Sequence, residues 1–500
     1  MIRPFDYSGI TRDANQIAHY DNRPASLVEM LRATVDRTPD ARAIAEVGGE
    51  RVTYREFWDR ASKAAGGLRQ SGIKRGDRVA IKLGNGLNWC IAFFATQMAG
   101  AIAVPVNTRF SDSEVEYVVS DSGASFTFLP GSAMPEAEPF VIEGLEAGDV
   151  SAIFYTSGTT GFPKGAMTTH ENFLANVETC RRVVDLPMDG SGRNLVSVPL
   201  FHVTGCNSQF LPSCEAGDLL VVMPAFDVQT FLKTITEERI NRMASVPAIY
   251  WLAINQPNFG GLDMSCVKWL SYGGAPIAPE LVARIMEAFP NARVGNGFGL
   301  TETASVATFL PHEFAGLRPE TVGFAAPVVD LDLFESDPET GVGELLIRGA
   351  NIVKGYWNKP EATAAAFVDG WLHTGDMARV DSEGFVQIVD RKKDMICRGG
   401  ENVYCVEVEN ALAAHPDVFE VAVVGVPDEM MGEKVGAVIV PRPESSVDPR
   451  EIVSFAKEYL ADFKVPQFIS IRSEPLPRNP GGKILKPVLR TQTAWGDQLR

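Results

Sequence analysis

The sequence predicts a mixed α/β protein of several units, and three observations predict it. Strand-like and helix-like segments alternate over the first ~300 residues, which implies parallel sheets with helices packed on them. From about residue 320 the pattern shifts to short alternating segments, such as Gly343–Gly349, which suggest a smaller β-rich unit. The charge cluster Asp390-Arg391-Lys392-Lys393-Asp394 then ends a strand over Phe385–Val389. The ~110 residues beyond it carry strands and helices of their own, enough for a small α+β domain. The predicted boundaries are 1–389, a hinge at 390–394, and 395–500.

The elements follow in order. A helix over 26–36 starts behind a Ser26 cap, Arg51–Tyr54 is a short strand, and Phe57–Leu68 is an amphipathic helix. Val79–Leu83 and Ala101–Val106 are strands around a buried helix, Trp89–Met98. Ala152-Ile153-Phe154 reads as a strand end, and Thr168-x-x-Glu171 as the capping box of a helix over 171–182. Strands at 194–198, 243–246 and 268–271 and a helix at 227–238 continue the alternation. In the last domain, Val421–Val424 and Val435–Val440 are strands.

Composition excludes several classes. The 500 residues are 45% hydrophobic and 22% charged, as in ordinary globular proteins. A net charge of −17 argues against broad contact with nucleic acid or anionic membranes. The seven cysteines are scattered without Cys-x-x-Cys, so reduced thiols in the cytoplasm are expected, not a disulfide framework or zinc site. Met1–Asp6 lacks the apolar core of a signal peptide. Apolar runs such as Ile91–Val106 are too interrupted for an integral membrane segment.

Five motifs carry chemistry. Thr156-Ser157-Gly158-Thr159-Thr160-Gly161-Phe162-Pro163-Lys164-Gly165 places hydroxyls, glycines and one lysine in a single loop. Glycine lets backbone N–H groups approach phosphate oxygens, and lysine adds a mobile charge. It is not a Walker loop, because no Ser or Thr follows Lys164. The alternative is a plain Gly/Thr surface turn. Asn296-Gly297-Phe298-Gly299-Leu300-Thr301-Glu302 offers a ring to stack on a base, a hydroxyl for phosphate and a carboxylate for magnesium; alone it could be a tight turn before a helix. In Thr374-Gly375-Asp376 the carboxylate can accept from both hydroxyls of a ribose, or serve the turn itself. Arg391 can donate to ribose or phosphate, or belong to a solvated patch. Asn479-Pro480-Gly481-Gly482-Lys483 is a Pro/Gly loop that ends in one cation.

In this order and spacing, the motifs resemble the adenylate-forming superfamily of acyl-CoA synthetases over residues 25–490. The resemblance implies a large N-terminal domain of layered sheets and helices plus a β-barrel-like subdomain, with a small mobile α+β C-terminal domain. It implies an ATP-dependent carboxylic acid–CoA ligase that forms acyl-AMP and releases pyrophosphate, then AMP, with ATP, Mg2+ and coenzyme A. By this likeness Thr156, Ser157, Gly158, Thr159, Thr160 and Lys164 hold phosphates. Gly274, Ala275, Pro276, Asn296, Gly297 and Phe298 surround the adenine, and Asp376, Ile388 and Arg391 the ribose side. Thr301 contacts the α-phosphate, Glu302 the magnesium, and Lys483 the α-phosphate and carboxylate. Lys393 matches the hinge, and Gly399 and Gly400 the pantetheine tunnel. His202 stands near the acid, in a pocket with Val203, Asn207, Gly274, Gly297 and Ala304, or packs in the core. A homodimer is implied as the assembly.

The acid is expected to be apolar, medium-chain or aromatic. No Asp stands in Phe201–Gly205 to pair a substrate ammonium, and small residues leave space. Phe298, Arg398 and Cys405 depart from the commoner Tyr, Ser/Thr and Pro, and the Ser125–Ser151 segment is short. The alternatives are a carrier-protein-loading adenylating enzyme, a long-chain fatty acid–CoA ligase and a nucleotide-binding paralogue without activity.

Overall fold

The computed structural model describes residues 2–156, 163–399, 401–443, 445–478 and 484–500. Ser157, Gly158, Thr159, Thr160, Gly400 and Lys483 lie outside these residues. The chain forms two compact units. The first holds Met1–Asp332, Leu346–His373 and Asp381–Val386; the second holds Leu333–Leu345, Thr374–Val380 and Gln387–Arg500.

Two sheets organise the first unit. A nine-stranded sheet runs in the order Phe324–Ala325, Thr308–Leu310, Arg293–Phe298, Trp269–Gly273, Arg242–Ser245, Arg193–Val196, Leu219–Val222, Arg42–Glu46, Arg51–Thr53. Pairing is parallel from Arg293–Phe298 through Arg42–Glu46 and antiparallel at both ends. A five-stranded sheet runs Ala124–Phe128, Arg78–Ile81, Ile102–Pro105, Val150–Thr156, Lys164–Thr169, with only the last strand antiparallel.

Between the sheets lie the helices Tyr54–Gln70, Leu87–Met98 and His170–Val183. The middle one is buried along nearly its whole length, with Thr96 and Gln97 buried among its apolar residues and Asn88 exposed. Phe57, Trp89, Phe93, Phe94, Phe173 and Phe210 meet there, mostly edge to face. Gly66 and Gly67 admit the irregular segment around Glu138, because a Cβ on Gly66 would sit 2.0 Å from the Glu138 carbonyl oxygen. The helices Val228–Glu237, Pro247–Ile254 and Pro279–Ala288 cover the other face of the nine-stranded sheet, and Asp112–Ser122 covers that of the five-stranded sheet.

Two local expectations are corrected. The capping box of the helix His170–Val183 is Thr169 with Asn172, not Thr168 with Glu171. Thr168 belongs to the preceding strand and is fully buried, while Glu171 accepts from His19 Nδ1 at 2.7 Å. Gly343–Gly349 is a strand, but it is buried on both faces and does not alternate.

In the second unit, Gly432–Pro441 pairs with Val418–Asp428, Ile396–Arg398 and, in parallel, Phe468–Ile471; Glu401–Val403 extends the edge. Helices Cys405–Ala413 and Pro449–Tyr459 cover one face, and Lys486–Gln492 the other. No described helix is long and apolar enough to cross a membrane.

Candidate active site

In the first unit two paired strands flank the phosphate-loop motif. Val150–Thr156 and Lys164–Thr169 pair antiparallel, with Thr156 opposite Lys164. Gly165 is required there, because a Cβ would fall 2.5 Å from Ile153 Cγ2. The Lys164 ammonium lies 5.0 Å from the centre of the Tyr356 ring.

The glycine motifs sit at the carboxyl ends of two neighbouring parallel strands, where open α/β sheets bind ligands. Gly273 pairs with Gly297, and a Cβ on Gly273 would be 2.2 Å from the Gly297 carbonyl oxygen. Gly274 has φ +74°, and Ala275 and Pro276 are exposed beyond it. Phe298 is half-buried, which leaves part of its ring open to a base. Asn296 is buried and its amide donates to the Thr321 carbonyl at 3.3 Å, so it braces the strand.

The strand runs into a 3-10 turn, Thr301–Thr303. Ala304 and Ser305 follow with φ +51° and +120°, uncommon for residues with a side chain. The Leu300 N–H donates to Thr303 Oγ1 at 2.8 Å, and the Thr303 hydroxyl reaches the Ser305 carbonyl at 2.8 Å. Buried Asn351 donates to the carbonyls of Thr303 and Val306, and Asn207 donates to that of Ala304 at 2.9 Å. These bonds hold the strained loop and present Thr301 and Glu302 beside it. The Tyr356 hydroxyl donates to Glu302 Oε1 at 2.8 Å.

His202 precedes the short helix Val203–Gly205, which continues as a π turn over Cys206–Phe210. Such turns are frequent at functional sites. His202 and Val203 are half-buried, whereas Asn207 and Ala304 are fully buried and bonded to each other. The His202 ring lies 4.7 Å from that of Phe201.

In the second unit, Arg391 Nε stands 2.6 Å from the buried carboxylate of Asp376. Ile388 is half-buried in the strand Val386–Arg391. Glu344 supports the turn from below, accepting from the Gly375 N–H at 3.0 Å and from Lys392 Nζ at 3.0 Å. The predicted hinge is a tight turn in which the Asp394 and Met395 N–H groups donate to the Arg391 carbonyl. Burial pushes the Lys393 ammonium below the usual lysine range. Asp390 is buried, accepts from the Arg391 and Cys405 N–H groups, and has its carboxyl pushed up by burial. Gly399 has φ +62° and donates to the Met431 carbonyl at 2.7 Å.

A magnesium ion fits Glu302. Among the described residues no group of three or more His, Cys, Asp or Glu could hold a metal alone. One carboxylate supplemented by phosphate oxygens and water is the habitual magnesium set.

The family model described as AMP-binding enzyme matches residues 31–146 and 129–357, and that of the AMP-binding enzyme C-terminal domain matches 407–483. The chain belongs to the AMP-binding enzyme family, the adenylate-forming acyl-CoA synthetases. A feruloyl-CoA synthase of Amycolatopsis sp is 36% identical over 479 residues, covering 91% of this chain and 96% of that one. A long-chain-fatty-acid–CoA ligase of Mycobacterium tuberculosis is 36% identical over 497 residues, covering 93% and 97%. The solved structure of o-succinylbenzoate CoA synthetase from Bacillus subtilis, in complex with its acyl-adenylate intermediate, superposes with a TM-score of 0.85 at 27% identity, covering 95% and 100%.

In this AMP-binding enzyme the residues that brace the candidate motifs lie outside the motifs themselves. Asn351, Glu344 and Tyr356 carry no local signal, since each acts on a residue distant in sequence.

Proposed function

We propose that this chain is an ATP-dependent carboxylic acid–CoA ligase. In the first half-reaction a carboxylate oxygen attacks the α-phosphorus of ATP, an O–P bond forms, and the bond to pyrophosphate breaks. In the second, the thiol of coenzyme A loses its proton and attacks the acyl carbon, and AMP leaves. The observation that carries the reading is the convergence of Lys164, Gly274, Phe298, Thr301 and Glu302 on strand ends and turns of one unit, backed by the ligase relatives.

Adenylyl transfer needs positioning and charge more than covalent help. Lys164 and the 157–160 hydroxyls and N–H groups hold the β- and γ-phosphates. Thr301 donates to the α-phosphate. Glu302 holds magnesium, which supplies neutralisation of phosphate charge. Phe298 stacks on adenine between Gly274-Ala275-Pro276 and Gly297, and Asp376 with Arg391 takes the ribose. Lys483 brings a positive charge to the attacking carboxylate. With Lys393 as the hinge, that charge is withdrawn before the thiol arrives along Gly399 and Gly400.

The acid is apolar, aromatic or medium-chain, bound near His202, Val203 and Gly297. A long-chain acid is the second reading, favoured by the mycobacterial relative. We place the enzyme in the cytoplasm, consistent with seven free cysteines, as a homodimer to be checked by sedimentation.

The test is pyrophosphate release over aromatic, medium-chain, long-chain and dicarboxylic acids, with and without coenzyme A. Acid-dependent release with an acyl-CoA product supports the ligase and names the class. Release without that product would turn the reading to carrier loading. No release with any acid would overturn it.

A further inference from the structure

Tyr356 touches two residues of the phosphate end with two different parts of one side chain. Its hydroxyl donates to Glu302 Oε1 at 2.8 Å, and its ring face carries the Lys164 ammonium at 5.0 Å from the centroid. The tyrosine is itself locked. It is 8% exposed, its N–H donates to Thr363 Oγ1 at 2.9 Å, and its ring meets Phe367 edge-on at 5.8 Å. Its backbone bridges to Ala166, with Met167 donating to the Gly355 carbonyl and Trp357 to that of Gly165. The Val353 N–H donates to the Glu302 carbonyl at 3.0 Å, so the same segment also fixes the backbone of the acidic turn.

We propose that Tyr356 is a positioning residue that preorganises Glu302 for magnesium and Lys164 for phosphate while holding the two charges apart. The inference rests on the reading of Glu302 and Lys164 as magnesium and phosphate groups. An ammonium and a carboxylate at this end of the site would neutralise each other if they met, and the nucleotide would have to separate them. Among the ion pairs of the described residues none joins Lys164 to Glu302; each rests on Tyr356 instead. The donated O–H also fixes the carboxylate plane and leaves Oε2 to face a cation.

The experiment is calorimetric titration of the full chain with ATP, with and without Mg2+, for wild type, Tyr356→Phe, Tyr356→Leu, Glu302→Gln and the Tyr356→Phe/Glu302→Gln double variant. Thermal melts identify variants that fold. Tyr356→Phe keeps the ring and is expected to leave metal-free ATP affinity unchanged while cutting the gain conferred by Mg2+ by about tenfold. Tyr356→Leu is expected to weaken metal-free ATP as well, by about threefold. The double variant should lose no more of the Mg2+ gain than Glu302→Gln alone. A Tyr356→Phe protein with the full Mg2+ gain, where Glu302→Gln has lost it, overturns the role of Tyr356. A full gain in Glu302→Gln overturns the assignment of Glu302 and the inference with it.

Discussion

The Nε of Arg391 lies 2.6 Å from Oδ1 of Asp376, whose residue is only 1% exposed. A carboxylate so buried is costly unless it is paired, and Arg391 pairs with it. Arg391→Ala should therefore weaken ATP binding by about tenfold and destabilise the second unit by ~1–3 kcal/mol, moderated by the partial exposure of the arginine. Arg391→Lys should recover charge but not the fork geometry, and so restore only part of the affinity. Equilibrium ATP binding and melting curves of the three proteins check this.

Gly273 and Gly297 face each other across two strands, yet they should respond differently. A Cβ on Gly273 would fall 2.2 Å from a backbone oxygen, whereas one on Gly297 would find Phe309 at 3.7 Å, ordinary contact. Gly273→Ala is expected to cost ~1–3 kcal/mol or prevent folding. Gly297→Ala should melt close to wild type but shift the acid preference toward smaller acids, read as the ratio of kcat/KM between a short and a long acid. An unchanged ratio would remove Gly297 from the acid pocket.

His170 is buried, accepts from the Leu27 N–H at 3.3 Å, and has its pKa pushed down to about 4 by burial. The unfolded chain holds the proton more tightly, with an ordinary value near ~6.5. Its contribution is thus present in full above that value and falls as pH drops from ~6.5 toward ~4, by at most ~3 kcal/mol. His170→Asn, which keeps an acceptor, should flatten that part of the melting temperature against pH.

Lys486 and Glu409 pair at 2.8 Å in the second unit, both mostly buried. Burial opposes the charge on the lysine, but the neighbouring carboxylates Glu409 and Asp390 outweigh it and hold the lysine protonated. Lys486→Met should destabilise this unit by ~3–5 kcal/mol, because Glu409 is left without its cation. Adding Glu409→Gln should recover part of the loss. Denaturant titrations of both variants decide it.

Lys483→Ala should abolish acid-dependent pyrophosphate release yet leave thioester formation from supplied acyl-AMP within a few-fold of wild type. Equal loss of both half-reactions would contradict an alternating lysine.

The motifs of the proposed site were legible because each is local. The loop motif gathers its glycines, hydroxyls and lysine within a few residues, and Phe298, Thr301 and Glu302 stand at and just beyond one strand end. Helix starts were legible to within a residue where one cap competed with another. Thr168 and Thr169 offer the same hydroxyl and both pair in the strand Lys164–Thr169; the last residue of that strand, Thr169, is the one that caps. The double-sided burial of Gly343–Gly349 was not legible, since a strand's second face is decided by what packs on it. Nor was the bracing of the acidic turn by Asn207 and Asn351, whose partners are backbone carbonyls far along the chain.

The sequence by itself determined the family, the alternation of strands and helices, and which charged and aromatic residues stand in the motifs, because these depend on residue type at short spacing. Tertiary structure alone decided that Gly273 must lack a side chain, that Asn296 and Asn207 brace backbone, and that Tyr356 stands between Lys164 and Glu302. Each of these is a contact between segments far apart in the chain, set by sheet register and packing, and no local pattern encodes it.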